Sequence, residues 1–454
     1  MLTRVTVSAS GTASPGAWWS SMAACVFGAL LGGSAGAVFV VGVTLSLKAT
    51  LDFVSSQATW FLLVAPLLGL ALAVLVLQGV GQTLAPGATP PRAGRWALAW
   101  RAFPPRAVRA DITGDVVDTA GEEERFNWRL APIRAVAIFC TVGLGGAMGT
   151  EAPAAYLGTA VGACLGDRGR WWRKLLRPAA LAGGAAGVAA LMGIALVGTA
   201  YMLELGRRHR APLTAERVIA ALIGGFVGWG TNIAFRLDLI RLIVPKEPPA
   251  NLSQGVKTAL FIGAISGAIT SLAGASIYRA KKWQASPGVR LGLGGLATGV
   301  TAVVLALMAA PSAAVGPGGG AILWAEDVNA LPPMLLAVTL LRATATTAAV
   351  AAGGCGGVFV PFLAIGDIAG RVFAPGLEVG NDLAGAAGAA GGIAGGYRLP
   401  FTAIAMSLGV GGPRLATLTC LVTIVVASAA GAGAGAVVDR VTGLPYLWRR
   451  ARSH

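Results

Sequence analysis

One short phrase occurs twice in this chain, and it constrains the fold more than any other feature. Gly149-Thr150-Glu151-Ala152-Pro153 is followed by Gly158 and Gly162, and Gly357-Val358-Phe359-Val360-Pro361 is followed by Gly366 and Gly370. The spacing is the same in both copies, and each copy opens a small-residue apolar stretch where a helix would begin. The first N–H groups of a helix have no intrahelical partner, and they sit at the positive end of the helix dipole. Two such starts, repeated about half a chain apart between apolar segments, predict an anion site built from backbone N–H groups. One copy carries a carboxylate, Glu151, where the other carries Phe359. That asymmetry predicts a pore with one titratable gate.

The surrounding chain is that of a polytopic membrane protein. It is 55% hydrophobic and 12% charged, with long apolar runs throughout, which excludes an ordinary soluble domain. Glycine contributes 66 of 454 residues, and most of these serve close helix packing in lipid. The net charge of +16 reads as the positive-inside bias of cytoplasmic loops rather than as nucleic-acid binding. The basic residues fall between apolar runs, as in Arg170-Trp171-Trp172-Arg173-Lys174 and Arg207-Arg208-His209-Arg210. The five cysteines, Cys25, Cys140, Cys164, Cys355 and Cys420, lie in apolar context without a CxxC pair and read as small buried thiols. No metal site or cofactor is expected. The first apolar run, near 22–47, is long enough to span and stay, so no cleaved signal is expected.

Apolar segments fall near 22–47, 60–85, 131–148, 153–166, 178–205, 213–234, 257–279, 290–311, 334–352, 358–374, 384–397, 400–411 and 414–438. Those at 153–166, 358–374 and 400–411 are shorter than the roughly 20 residues of a spanning helix. Short segments at corresponding places in two halves point to broken helices around a site at membrane depth. Ala185-Ala186-Gly187 and Ala389-Ala390-Gly391 extend the repeat. The expected organisation is an N-terminal segment 1–21, a first repeat half 22–240, a second half 250–440 and a basic tail 441–454. The polar stretch 104–130, with Asp111, Asp115, Asp118 and Glu122-Glu123-Glu124, reads as a solvated loop.

These motifs resemble those of the CLC chloride channels and proton/chloride antiporters. Gly149-Thr150-Glu151-Ala152-Pro153 is similar to the family's G-[KR]-E-G-P motif, and Gly356 to Pro361 is similar to G-x-F-x-P. Tyr397-Arg398-Leu399-Pro400-Phe401-Thr402 looks like R-x-P-[LF]-T, and Leu444-Pro445-Tyr446 looks like the segment carrying the family's central tyrosine. The resemblance implies an all-α membrane protein of two inverted halves with broken helices at the ion site, and a homodimer with one pore per subunit. It implies chloride or a similar monovalent anion as the moving species, with membrane lipid as the surroundings and protons as a further partner. By the same resemblance Glu151 is the gate. Gly357, Val358 and Phe359 contribute backbone at the anion, and Tyr446 offers a hydroxyl. A bacterial inner membrane is the expected location, and the basic C-terminal end is expected to be cytoplasmic.

The chain also departs from the family pattern. No G-S-G-I-P motif is present. The best candidate is Gly87-Ala88-Thr89-Pro90-Pro91, which puts Ala88 where a serine would stand, or is simply a proline-rich turn. Thr150 and Ala152 flank Glu151 in place of a basic residue and a glycine. The exchangers' inner proton glutamate aligns with Leu205, and Glu204 precedes it. Glu204 is then either a proton acceptor one place out of register or a helix-end carboxylate paired with Arg207 or Arg208. With eight residues after Tyr446, no pair of cytoplasmic CBS domains is expected.

Three functions stay open at this point. The first is anion movement gated by Glu151, passive rather than strictly proton-coupled. The second is proton/chloride antiport using Glu204. The third is a non-conducting family member acting as a binding partner. An enzyme is not expected, because no Ser/His pair, HExxH or intramembrane carboxylate cluster is present.

Overall fold

A computed structural model of the chain describes residues 15–82, 110, 112–123, 126–167, 173–208, 210–237, 251–327, 330–411 and 417–443. The described residues are helical almost throughout. The helices are α1 (Pro15–Ser55), α2 (Phe61–Gln82), α3 (Ile112–Asp118) and α4 (Ala131–Ile138), the last continuing through a wider turn to Gly143. Next come α5 (Glu151–Gly166), α6 (Arg173–Met192), α7 (Ala195–Arg208), α8 (Ala215–Ala234), α9 (Leu252–Lys282) and α10 (Pro287–Met308). The chain then forms α11 (Gly319–Asp327), α12 (Pro332–Ala352), α13 (Phe359–Val372), α14 (Asn381–Gly392, extended by a wider turn to Tyr397), α15 (Pro400–Gly411) and α16 (Leu418–Thr442). Among the described residues, α1, α8, α9, α10, α12 and α16 are long and apolar enough to cross a membrane. The short apolar segments predicted near 153–166, 358–374 and 400–411 are the short helices α5, α13 and α15.

Local chemistry sets several of these ends. Thr214, Asn251, Ser286 and Thr417 each accept the backbone N–H three residues on, which caps α8, α9, α10 and α16. Inside the helices, hydroxyls such as Thr44, Thr298 and Thr339 bond the carbonyl four residues back. A hydroxyl with no water available is satisfied in this way.

The helices approach closely at glycines. At the α5–α6 crossing a side chain on Gly158 would strike the Gly183 carbonyl, and one on Gly183 would strike the Gly158 carbonyl. The α13–α14 crossing repeats this with Gly366 and Gly388. One turn further on, Gly162 meets the backbone of Ala179 and Gly370 meets that of Ala384. Between helices in lipid, dispersion replaces the hydrophobic drive, so contact distance decides the attraction.

Four sequence expectations are corrected. The segment 178–205 is two helices, because Gly193 takes a left-handed backbone (φ 69°) between α6 and α7. Arg398 (φ 62°) makes the corresponding break between α14 and α15. This non-glycine left-handed residue costs about 1–2 kcal/mol. Its side chain is held by the Ala432 carbonyl (3.0 Å), Ser271 (3.3 Å) and Asp439 (2.8 Å). The segment 131–148 stops at Gly143. The N-terminal segment 1–21 overlaps α1, which begins at Pro15. The stretch 104–130 is not wholly a solvated loop: Ile112, Thr113, Val116 and Val117 are buried. Two of its acids are paired, Asp115 with Arg134 and Glu123 with Arg217, each at 2.5 Å. The five cysteines are free thiols, three of them buried.

A valine at Gly158 is expected to destabilise the protein by about 1–3 kcal/mol through overpacking. At Gly230 an added Cβ would meet nothing within 4 Å, so alanine there should change stability little. Thermal unfolding of the detergent-solubilised variants measures both.

Candidate functional site

The two copies of the repeated phrase meet. Gly145 (φ 92°) and Gly353 (φ 96°) turn the chain after the α4 extension and after α12, at matching places ahead of each phrase. The phrases then pair through an isolated antiparallel bridge. Gly149 N–H donates to the Gly357 carbonyl (2.7 Å), and Gly357 N–H donates to the Gly149 carbonyl (2.8 Å). The start of α5 is thereby fixed against the start of α13.

Glu151, the first residue of α5, is fully buried at this junction. Its Oε1 accepts the Val360 N–H (2.8 Å), and the Phe359, Thr150 and Glu151 amides also lie against the carboxylate. A Cβ on Gly149 would collide with this carboxylate, and one on Gly357 would come within 3.0 Å of its Oε1. The glycines of the phrase therefore leave room for an anionic group between two helix N-termini. No ion pair to Glu151 occurs among the described residues, so the negative charge is held by backbone N–H groups. Charge-assisted bonds of this kind lose strength when the acceptor is protonated.

Beyond Phe359 lies an aromatic cluster. The Phe359 ring meets Tyr201 (5.6 Å between centroids, 84°) and Tyr397 (5.4 Å, 87°) edge to face. The two tyrosine hydroxyls are 3.1 Å apart, and both residues are fully buried. Thr113 of α3 hydrogen-bonds the Tyr397 side chain. Arg208 donates to the Tyr397 carbonyl, with its guanidinium 5.6 Å from the centre of that ring. The Asp115–Arg134 pair secures α3, and Arg134 in turn lies over the Tyr156 ring of α5 (4.8 Å).

Glu204 sits at the other broken helix. Its carboxylate accepts the Phe401 N–H (3.1 Å), the Thr402 N–H (2.7 Å) and the Thr402 hydroxyl (2.5 Å), capping α15. The amides of α15 are thus partners of Glu204 that the sequence did not indicate, beside the expected influence of Arg208. Leu205 beside it is buried.

Of the residues singled out in the sequence, Glu151, Gly357 and Phe359 come together at this junction. The role given to Gly357 is corrected, because its N–H is committed to Gly149 and is not free for an anion. Val358 acts as the N-cap residue of α13, its carbonyl accepting the Phe362 N–H. The amide one step beyond Phe359, at Val360, makes the hydrogen bond to Glu151. Ala88 and Tyr446 lie outside the described residues. Sequence reasoning missed the pairing of Tyr201 with Tyr397. Four of the five tyrosines stand within apolar stretches, so no local signal singled out this pair.

A family model described as voltage gated chloride channel matches residues 93–432, about three quarters of the chain. The chain belongs to this CLC family. The match begins beyond Ala88. An H(+)/Cl(-) exchange transporter ClcA of Yersinia pestis bv. Antiqua (strain Angola) is 28% identical over 252 residues, covering 54% of this chain and 52% of that protein. A ClcA of Salmonella paratyphi A (strain ATCC 9150 / SARB42) is 27% identical over 265 residues, with the same coverage. The chain thus spans about half the length of these curated relatives. Among solved structures, a slow cyanobacterial Cl-/H+ antiporter aligns over 92% of this chain and 98% of its own, with TM-score 0.67 and 20% identity. A CLC-type fluoride/proton antiporter aligns over 96% and 98%, with TM-score 0.68 and 20% identity. These likenesses show the CLC fold, and with the apolar helices they make the chain an integral membrane protein.

The cap at α15 generates a stability prediction. Glu204→Ala leaves two amides and a hydroxyl unpaired and should cost about 1–2 kcal/mol. Glu204→Gln, which keeps an acceptor oxygen, should cost less. Thermal unfolding of both variants in detergent gives the comparison.

Proposed function

We propose that this chain moves chloride or a similar monovalent anion across a membrane, with Glu151 as the protonatable gate. The observation that carries this reading is the seat of the Glu151 carboxylate. It is buried, held by the Val360 amide, and cradled by two glycines that meet across the repeat. Those donors would serve an anion equally well. An ionised Glu151 therefore competes with the transported ion for one position. Adding a proton removes the charge, weakens the hold of the amides and lets the side chain leave. The sign follows: the gate is closed while Glu151 is ionised and opens as pH falls. Thr150 in place of a basic residue leaves the seat to the backbone alone. The same reading includes a homodimer with one pathway per subunit, in a bacterial inner membrane.

A second reading is proton-coupled exchange, and it is supported at least as well. The relatives named above are exchange transporters, and both solved structures quoted are antiporters. In this chain Glu204 lies three residues after Tyr201 on α7 and is held by the start of α15. It is the carboxylate we assign to the inner end of a proton route, in place of Leu205.

Simultaneous chloride and proton flux from liposomes tests both readings. Wild-type chloride flux should rise as pH falls from about 7.5 to about 4.5, toward the range where glutamate protonates. Glu151→Gln should conduct without responding to pH. Coupled exchange predicts proton movement driven by a chloride gradient, lost in Glu151→Gln and in Glu204→Gln. Wild-type flux that ignores pH removes Glu151 as the gate. Chloride flux without protons removes the exchange reading.

A further inference from the structure

A cavity of about 430 Å³ reaches from the end of α1 to the gate phrase. One side of it is α1, through Thr44, Lys48, Asp52 and Ser55, and the other includes Ser312 and the loop that follows it. Thr150 also lines it, the residue before Glu151, whose amide lies against the carboxylate. The α1 residues recur at helical spacing, so they form one stripe along the cavity. Thr44 and Thr150 are buried, whereas Lys48 and Asp52 are exposed. The stripe therefore runs from a buried end at Thr44 to an open end where α1 stops at Ser55. Lys48 stands one turn, about 6 Å along the axis, nearer the buried end than Asp52.

The wall opposite α1 is held from behind. Arg342 of α12 is fully buried and donates to the carbonyls of Ala313 and Ala314 (3.4 Å each) and of Gly316 (2.7 Å). The Gly316 N–H donates to the Gly145 carbonyl (3.3 Å), which ties this wall to the turn ahead of the gate phrase. The cavity is thus fixed by the elements that fix Glu151. Among the described residues, Lys48 and Asp52 are the only charged side chains in its lining. Thr150 brings no charge there. No ion pair joins Lys48 to Asp52 or to another described residue, so its charge is not spent on a neighbour.

We propose that Lys48 captures the transported anion in this cavity on its way to the Glu151 seat, and that Asp52, one turn further out, opposes its entry. A lysine ammonium is a compact, strongly hydrated point charge. It draws in an anion that still carries its water, and the backbone amides at the gate take over where that water is lost. Lys48 thereby sets how much anion stands before the gate, not how the gate opens. Both charges are exposed, so salt screens them. The inference rests on the anion-transport reading and adds to it the residues that govern capture.

Chloride flux from liposomes, measured against chloride concentration at fixed pH, tests this with full-length protein. Ionic strength is set with potassium gluconate, and thermal unfolding of the same samples establishes that each variant is folded. Lys48→Gln should raise the half-saturating chloride concentration about two- to fivefold at low ionic strength, the effect of one unit charge near the ion in water. Asp52→Asn should lower it by a similar factor, and Lys48→Arg should behave as wild type. Flux at saturating chloride should be unchanged in all three. Near 1 M salt, where charges are screened within about 3 Å, the differences should vanish. Folded variants that match wild type at low ionic strength overturn the capture role. So do Lys48→Gln and Asp52→Asn that both lower flux at every salt concentration, which marks a structural role for the stripe. Either result leaves the Glu151 gate standing, since its response to pH is read separately. If wild type moves no chloride, the transport reading fails and the capture role fails with it.

Discussion

Two hydrogen bonds between Gly149 and Gly357 carry the organisation of this protein. They join residues more than two hundred positions apart and hold the N-termini of α5 and α13 face to face. Each helix start brings unpaired amides and a positive dipole end. Brought together without an intervening side chain, they make a small region of positive potential inside an apolar body. A negative group is the natural occupant, and the chain supplies its own in Glu151. A Cβ on Gly149 would displace the carboxylate, and one on Gly357 would crowd it.

The rest of the fold maintains that junction. Left-handed glycines at Gly145 and Gly353 turn the backbone into the two phrases. The Thr141 hydroxyl accepts the Cys355 amide (3.0 Å), tying the approach to one phrase to the approach to the other. Behind the junction, α5 lies on α6 and α13 lies on α14, each at a reciprocal pair of glycines. The breaks at Gly193 and Arg398 then separate α7 from α6 and α15 from α14, and α7 meets the start of α15 through Glu204. Broken helices in lipid survive because the freed backbone groups find partners, and Glu204 is the partner for α15. We read this as one half-chain plan used twice, with Glu151 and Phe359 as the point where the two uses differ.

Much of this was legible in the sequence. The repeated phrase located both helix starts, and the short apolar segments at 153–166, 358–374 and 400–411 proved to be helices of matching length. Glu151 stood out because a carboxylate in an apolar repeat is costly. The misses have physical causes. Hydropathy could not divide 178–205, because the break depends on the backbone angle of one glycine. Asp115 and Glu123 looked solvated because their partners, Arg134 and Arg217, lie elsewhere in the chain. The Tyr201–Tyr397 pair joins residues almost two hundred positions apart, and no local pattern encodes it. Motif matching also credited Gly357 with a donor that the bridge consumes, and passed over Val360.

The central claim is that a carboxylate and an anion compete for one seat at the start of α13. Anomalous diffraction from crystals grown in bromide tests it directly, comparing wild type with Glu151→Gln at neutral pH. The account predicts a bromide peak beside the Val360 amide in Glu151→Gln and none there in wild type, where the carboxylate holds the place. Bromide beside Val360 in both proteins, or in neither, would contradict it.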